Sequence, residues 1–361
     1  MRPHAILALS GAVALLATTS LADGGANHRA KQTLPIRLGT SGGSANDSSR
    51  AFCCGGTLGA AVMCNGVLHV LSNNHVLGRS GSAVAGEDAV QPGLIDTGCR
   101  SSNSNVVADY AGNLVPLGTA NVDAALSVAR AGAVSTTGDI LDIGAPCVTP
   151  RSAAIGMAVA KSGRTSGLTT GSVQALNLTV SVQYQKGCNS GKKFTVRYAD
   201  QVSVTPGSFL QAGDSGSLMV TNDANHQPVG LLYAGSSSVA IANPAEDVID
   251  AFGPRCGGSF GFVGASCAAS AALPAAPAGP TATRVDLASM VKERHVARLM
   301  SVPAVLGVGV GAADDDPSEA VLVLYLEQGR AHPPIPEAIE GVRVKIVRTD
   351  RIVAMAGSCG D

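Results

Sequence analysis

The apolar runs of this chain are short, and glycine, serine, asparagine or aspartate closes them before a long helix can develop. Such runs lie at 67–71, 124–128, 158–161, 176–185, 194–204, 217–221, 229–234 and 238–242. Many short strands at this spacing, without helical periods between them, predict an antiparallel all-β sandwich or barrel. The 44 glycines, the lack of tryptophan and an aromatic content of 3% agree with tight turns around a core of Val, Ala and Leu. Within this region only 244–252 reads as helical. Pro244 sits near its first turn and Glu246 and Asp247 follow, where acidic groups meet the positive end of the helix dipole.

Residues 1–22 have the pattern of a secretory leader: Arg2 and His4, then an apolar run, then the small-x-small site Ser20-Leu21-Ala22. No later segment reaches the ~20 apolar residues of a membrane span. All nine cysteines follow the leader, so a secreted or periplasmic chain would carry them into an oxidising compartment where disulfides form. The odd count leaves at least one without a partner. Cys53 and Cys54 lie just before Cys64, and Cys256 just before Cys267, so local loops are expected, with the wider connectivity open. No Cys-x2-Cys pair is matched by a second pair, so neither a structural zinc nor another cofactor is implied. A net charge of −1 with mixed signs offers no basic stripe for nucleic acid or an anionic membrane surface.

The chain divides into the leader at 1–22, a loose polar segment at 23–34, a β-rich domain at 35–262, an Ala/Pro/Gly linker at 263–283 and a small α+β domain at 284–361. In the last, Leu287, Met290, Val291, Val296, Leu299 and Met300 form a helical stripe with Asp286 as its N-cap. Strands are expected at 305–310, 320–327, 342–347 and 352–355. Asp314, Asp315 and Asp316 between two of these runs suit a solvated hairpin tip better than a calcium loop. His295 and His332 read as surface residues. This domain is expected to contact the larger one, in a regulatory, chaperoning or substrate-presenting role.

Three segments of the β-rich domain carry the parts of an acyl-transfer site. A hydroxyl attacks an amide carbonyl only when a base takes its proton, the base is oriented, and fixed donors meet the developing oxyanion. Gly213-Asp214-Ser215-Gly216 offers Ser215 as nucleophile on a glycine-flanked turn whose Gly213 and Ser215 amides could form the oxyanion hole. Asn74-His75-Val76 ends an apolar run with His75 as base, and Val122-Asp123-Ala124 opens another with Asp123 as the acid that fixes the imidazole tautomer. Each motif alone is as readily a turn or a strand end. Their order, His then Asp then Ser, inside an exported all-β region is what joins them.

With these motifs, residues 35–262 resemble the chymotrypsin-like (trypsin-type) serine proteases. Cys54-Gly55-Gly56 resembles that family's strand ahead of the catalytic His, and Asn73-Asn74-His75-Val76 and Asn243-Pro244 resemble its bacterial branch. The resemblance implies a double β-barrel, a polypeptide substrate, and peptide pairing along Tyr233, Ala234 and Gly235 as an added strand. It also implies Phe209 at the floor of the specificity pocket, which favours small or apolar side chains over Arg or Lys. No Ile-Val-Gly-Gly start is present, so Asp214 requires a partner other than a new N-terminus. Segment 161–171 lacks the Gly-Lys-Ser/Thr ending of a phosphate loop and reads as a strand connection with a solvated basic pair. A catalytically silent peptide binder and an esterase are the competing functions.

Overall fold

The computed structural model describes residues 25–268 and 279–358; the leader expected at 1–22 and Cys359 lie outside them. In the first half, β1 (Thr40–Ser44), β2 (Cys54–Leu58), β3 (Ala60–Cys64), β4 (Val67–Ser72), β5 (Asp88–Gln91), β6 (Asn105–Tyr110) and β7 (Ala125–Ala129) form one curled sheet. β2 and β3 are a single strand bent at Gly59: the β2 half pairs with β1 and the β3 half with β4. The ring closes through β4–β7, β7–β6, β6–β5 and β5–β1, all antiparallel. Gly59 can be nothing larger, because a Cβ there would lie 1.7 Å from the Gly216 carbonyl oxygen. The bend therefore sets the first sheet directly against the Ser215 turn.

The second sheet contains β8 (Ala158–Gly163), β9 (Gly167–Gln185), β10 (Lys193–Thr205), β11 (Leu218–Thr221), β12 (Pro228–Gly235) and β13 (Ala240–Pro244). The order β9-β8-β11-β12-β13-β10 returns to β9 through a long β9–β10 ladder, closing a six-stranded barrel. The chain thus has the double β-barrel of the chymotrypsin-like type. α1 (Asn74–Leu77) is a single turn after β4, and α2 (Ala245–Phe252) follows β13, close to the expected 244–252. The first barrel's core holds Ile36, Leu38, Leu71, Leu126 and Phe252; a second cluster gathers Tyr184, Tyr198 and Tyr233, and a third Phe209, Leu210, Val229 and Leu232. β14 (Phe260–Phe262) pairs with β3.

After the linker come α3 (Ala282–Leu299), β15 (Val305–Ala312), β16 (Ala320–Glu327), β17 (Ala338–Ile339), β18 (Val342–Thr349), β19 (Val353–Ala354) and β20 (Gly357–Ser358). β15 adds antiparallel to β9, and β16, β18 and β17 extend the sheet outward. The alternation Val-Gly-Val-Gly in β15 explains this packing: Val308 and Val310 turn to the cluster under α3, while a Cβ on Gly307 or Gly309 would crowd Leu178 of β9. Tyr325 of β16 reaches the barrel itself, its hydroxyl 2.7 Å from Ser203 Oγ and donating to Gln174 Oε1 at 2.8 Å.

Several sequence expectations are revised. The N-cap of α3 is Thr281, whose side chain accepts from the Arg284 amide, not Asp286; the helix begins a turn earlier, and Leu287 and Met290 are each 58% exposed. Residues 25–31 are held in place, with His28 buried between the Gly39 carbonyl and Asp142, each 2.7 Å away. The bridges are Cys53–Cys99, Cys54–Cys188, Cys64–Cys256 and Cys147–Cys267, so they tie segments distant in sequence rather than closing local loops. Asp314 and Asp315 do form an exposed hairpin tip, paired with Lys345 and Arg343. Among the described residues no helix is long and apolar enough to cross a membrane.

Candidate active site

His75 and Asp123 meet between the barrels. α1 turns His75 off the end of β4, and Asp123 stands just ahead of β7, the strand beside β4. His75 Nδ1 lies 2.5 Å from Asp123 Oδ2, with Asp123 fully buried and His75 4% exposed. Asp123 is extensively solvated by protein groups. Its Oδ1 accepts from the amides of Asn74 at 2.7 Å and His75 at 3.3 Å, and its Oδ2 also accepts from the Tyr184 hydroxyl at 3.0 Å. Tyr184 in turn meets the Tyr198 hydroxyl at 2.8 Å and sets its ring edge-on to His75 at 5.9 Å. Burial, reinforced by the Asp123 charge, pushes both phenols well above their ordinary values, so they act as neutral hydrogen-bonding groups. Asn243 binds both backbone polar groups of Asp123, accepting from its N–H at 3.0 Å and donating to its carbonyl at 3.3 Å.

Ser215 is brought to the same seam. The Thr57 amide donates to the Ser215 carbonyl at 2.8 Å, Thr57 Oγ1 donates to the Gly213 carbonyl at 3.0 Å, and Ser72 Oγ donates to the Thr57 carbonyl at 2.6 Å. Val76 and Ser215 both abut Gly56, where an added Cβ would meet Val76 Cγ2 at 2.6 Å and the Ser215 carbonyl at 2.9 Å. The second link, from His75 to Ser215, is not made: Ser215 Oγ donates to the Tyr233 carbonyl at 3.1 Å, and His75 Nε2 is buried without a hydrogen-bond partner among the described residues.

Asp214 finds the partner its burial requires. Lys161 Nζ donates to its Oδ2 at 3.1 Å, with both side chains fully buried. The amides of Thr165, Ser166 and Gln211 and the Ser166 hydroxyl complete the shell at 2.7, 3.1, 2.9 and 2.5 Å. Burial pulls the Lys161 ammonium below its ordinary value while Asp214 draws it back up. Arg164 is also buried and grips Asp96 with two bonds of 2.8 and 2.6 Å. The basic pair read as solvated is therefore internal, and it fixes the loop under the Ser215 turn. Its signal was indirect: a buried Asp214 demanded a cation, but Lys186, Lys192, Lys193 and Arg197 all lie nearer to it in sequence than Lys161 does.

The expected substrate residues lie beside this turn. Phe209 is buried in the third core cluster, and Tyr233 turns its ring inward against Tyr198 at 5.2 Å, leaving only its backbone at the cleft. The backbone of β12 is occupied: Ala234 pairs with Ala354 and Gly235 with Val353 of β19. The Gly213 amide donates to the Met355 carbonyl at 2.7 Å; no bond from the Ser215 amide reaches that oxygen. Beside His75, an open cavity of about 220 Å³ is lined by Asp47, Arg79, Gln183, Lys193 and Ala356.

Residues 99–242 match a family model described as the Nal1 C-terminal domain. No curated protein sequence matches the chain. Among solved structures, it is similar to a glutamic acid specific serine protease at 19% identity and a TM-score of 0.42, over 63% of this chain and 100% of that one. It is also similar to Thermobifida fusca protease A, at 19% identity and 0.41 over 64% and 99%, and to Cellulomonas bogoriensis chymotrypsin, at 20% and 0.36 over 58% and 95%.

Proposed function

We propose that this chain is an exported serine endopeptidase in which Ser215 attacks a peptide carbonyl, His75 serves as base and then acid, and Asp123 orients the imidazole. The observation that carries this reading is the buried His75–Asp123 pair: with Nδ1 committed to the carboxylate, Nε2 is left free of any partner and able to take a proton. Ser215 Oγ forms its bond to the peptide carbon as the His75 ring takes its proton, and the ring then returns that proton to the leaving nitrogen. Water repeats the sequence on the acyl-enzyme. The Ser215 hydroxyl must first rotate about its Cα–Cβ bond, away from the Tyr233 carbonyl. The Gly213 amide, already aimed at a carbonyl oxygen, supports the same assignment for the oxyanion. The residues at 263–283 and 284–361 serve in this reading as linker and as an accessory unit on the protease.

The orientation of Ser215 Oγ favours one alternative, a silent peptide binder that keeps the cleft. A fluorophosphonate probe separates the two: labelling that disappears in Ser215→Ala supports the enzyme, whereas a folded chain that stays unlabelled both as the wild type and as Gly357→Val, which loosens the C-terminal residues from the cleft, sinks it. Casein and small-ester hydrolysis measured side by side distinguish a peptidase from an esterase on the same triad.

A further inference from the structure

The residues after β18 run back over the molecule and into the cleft between the barrels. Thr349 Oγ1 meets Ser236 Oγ at 2.5 Å, and Ile352, which follows, is fully buried. The Ile352 carbonyl accepts from the Gln183 amide at 3.1 Å, and β19 then lies antiparallel to β12, Val353 opposite Gly235 and Ala354 opposite Ala234. The Met355 amide donates to the Tyr233 carbonyl at 3.0 Å, and the Met355 carbonyl receives the Gly213 amide at 2.7 Å. Beyond Ala356 the chain crosses to the first barrel, where β20 pairs with β2, Gly357 opposite Gly55 and Ser358 opposite Cys54. Seven successive residues thus bridge both barrels, through backbone bonds on each side of one carbonyl.

We propose that residues 352–358 occupy the protein's own substrate cleft as a substrate-like strand, closing the full-length chain to other peptides. This rests on the endopeptidase reading for the identity of the cleft, although the occupancy itself stands on the hydrogen bonds. An extended segment that adds to a sheet edge is held by its main chain, and pockets for alternate side chains supply the selectivity. The register presents the Met355–Ala356 bond at the Ser215 turn. Met355 packs against the cluster that contains Phe209, and its Cε lies 3.0 Å from the position a Cβ on Gly235 would take. The pocket accordingly takes a long, unbranched apolar side chain, and no charge. On the far side the fit requires glycine: a Cβ at Gly357 would meet Ile95 Cδ1 at 2.9 Å and Gly213 Cα at 3.0 Å. Because the tail is covalently attached, its effective concentration is on the order of millimolar, so it excludes free peptides that bind no better than it does. The closure accounts for the full burial of Ser215, which no peptide can reach past the tail.

The test uses full-length chains carrying Ser215→Ala, so that binding is read without hydrolysis. A fluorescent eleven-residue peptide with the sequence of residues 348–358 is titrated by anisotropy onto this chain and onto two variants that loosen the tail from opposite sides. Met355→Pro removes the amide that donates to Tyr233, and Gly357→Val drives a side chain into Gly213. The expected result is at least tenfold tighter binding to both variants than to the parent. Replacing the methionine of the peptide by aspartate should abolish the gain. Equal affinity for all three chains, or no binding to any, overturns the proposal, as does indifference to the aspartate. Should one variant fail to fold, the other carries the comparison. In chains that retain Ser215, casein hydrolysis reports separately on the endopeptidase: a tail that competes in a chain that never cleaves casein leaves the closure standing and removes the enzyme.

Discussion

Replacing Lys161 with methionine tests whether the pair beneath the Ser215 turn is an electrostatic unit or merely two polar groups in contact. Methionine keeps most of the volume, so little of the loss comes from a cavity. What remains is a carboxylate inside the protein with its cation removed, and breaking a buried pair in this way costs about 3–5 kcal/mol. Asp214 retains three amide donors and the Ser166 hydroxyl, which places the expected loss at the lower end, about 3 kcal/mol. Guanidinium unfolding near neutral pH of the parent, Lys161→Met, Asp214→Asn and the double variant measures it as a cycle. The double variant should fall short of the summed single losses by about 2 kcal/mol, because the second change removes the charge the first one stranded. Additive single losses, or a Lys161→Met loss below about 1 kcal/mol, would refute the reasoning that this ion pair stands in for a charged N-terminus.

Two further substitutions probe the cleft. Asp47 is buried in the wall shared with His75, and burial raises its carboxyl to about 6 from 3.8. With the folded value above the unfolded one, this carboxyl supports the fold fully below pH 3.8 and loses that support as pH rises through 6. Asp47→Asn should therefore be more stable than the parent above pH 7, by on the order of 3 kcal/mol, and the two should converge below about pH 4; a gap that ignores pH in denaturant titrations removes the argument. Tyr184→Phe deletes one donor to Asp123 Oδ2. A bond to a charged acceptor contributes about 1.5–3 kcal/mol, so in a chain whose tail is loosened by Gly357→Val, kcat on a peptide substrate should fall about tenfold or more with KM unchanged, whereas an unaltered kcat would show that the phenol does not help to hold the His75–Asp123 pair.

The parts of the site that sequence exposes are those whose chemistry is encoded within a few residues. Asn-Asn-His-Val, Val-Asp-Ala-Ala and Gly-Asp-Ser-Gly each announce a strand end or a turn, and His75 and Asp123 meet because β4 and β7 are neighbours in the first barrel. Strands rich in valine and leucine were equally open to reading, as β16 at Ala320–Glu327 demonstrates. β1 was not, because Thr-Ser-Gly-Gly-Ser carries no apolar signal at all. It is a strand because Gly42 lets Leu58 lie across it and because β2 and β5 claim its backbone from both sides. The supports of the site are of this second kind. Tyr184 precedes nothing in sequence that names Asp123, Lys161 lies 53 residues from Asp214, and Cys64 is joined to Cys256 across 192.

The same distinction governs the C-terminal residues. An apolar run at 352–355 is readable as a strand, since main-chain pairing needs only a β-compatible segment, but its partner is chosen by whatever edge the fold leaves open. Here β12 ends in the cleft with the Tyr233 carbonyl outside its ladder to β13 and met within the barrel by the Ser215 hydroxyl, and β2 presents a second edge opposite it. A segment tethered by β18 and reaching both edges satisfies groups that would otherwise wait for a substrate. If the cleft is the proposed peptide site, an edge that recognises peptides by their backbone has no means of refusing the protein's own chain, except by side-chain fit. Met355 and Gly357 meet that requirement on the two sides of the Gly213 amide, so the fold closes its own cleft with the backbone interactions that the proposed endopeptidase would offer a substrate.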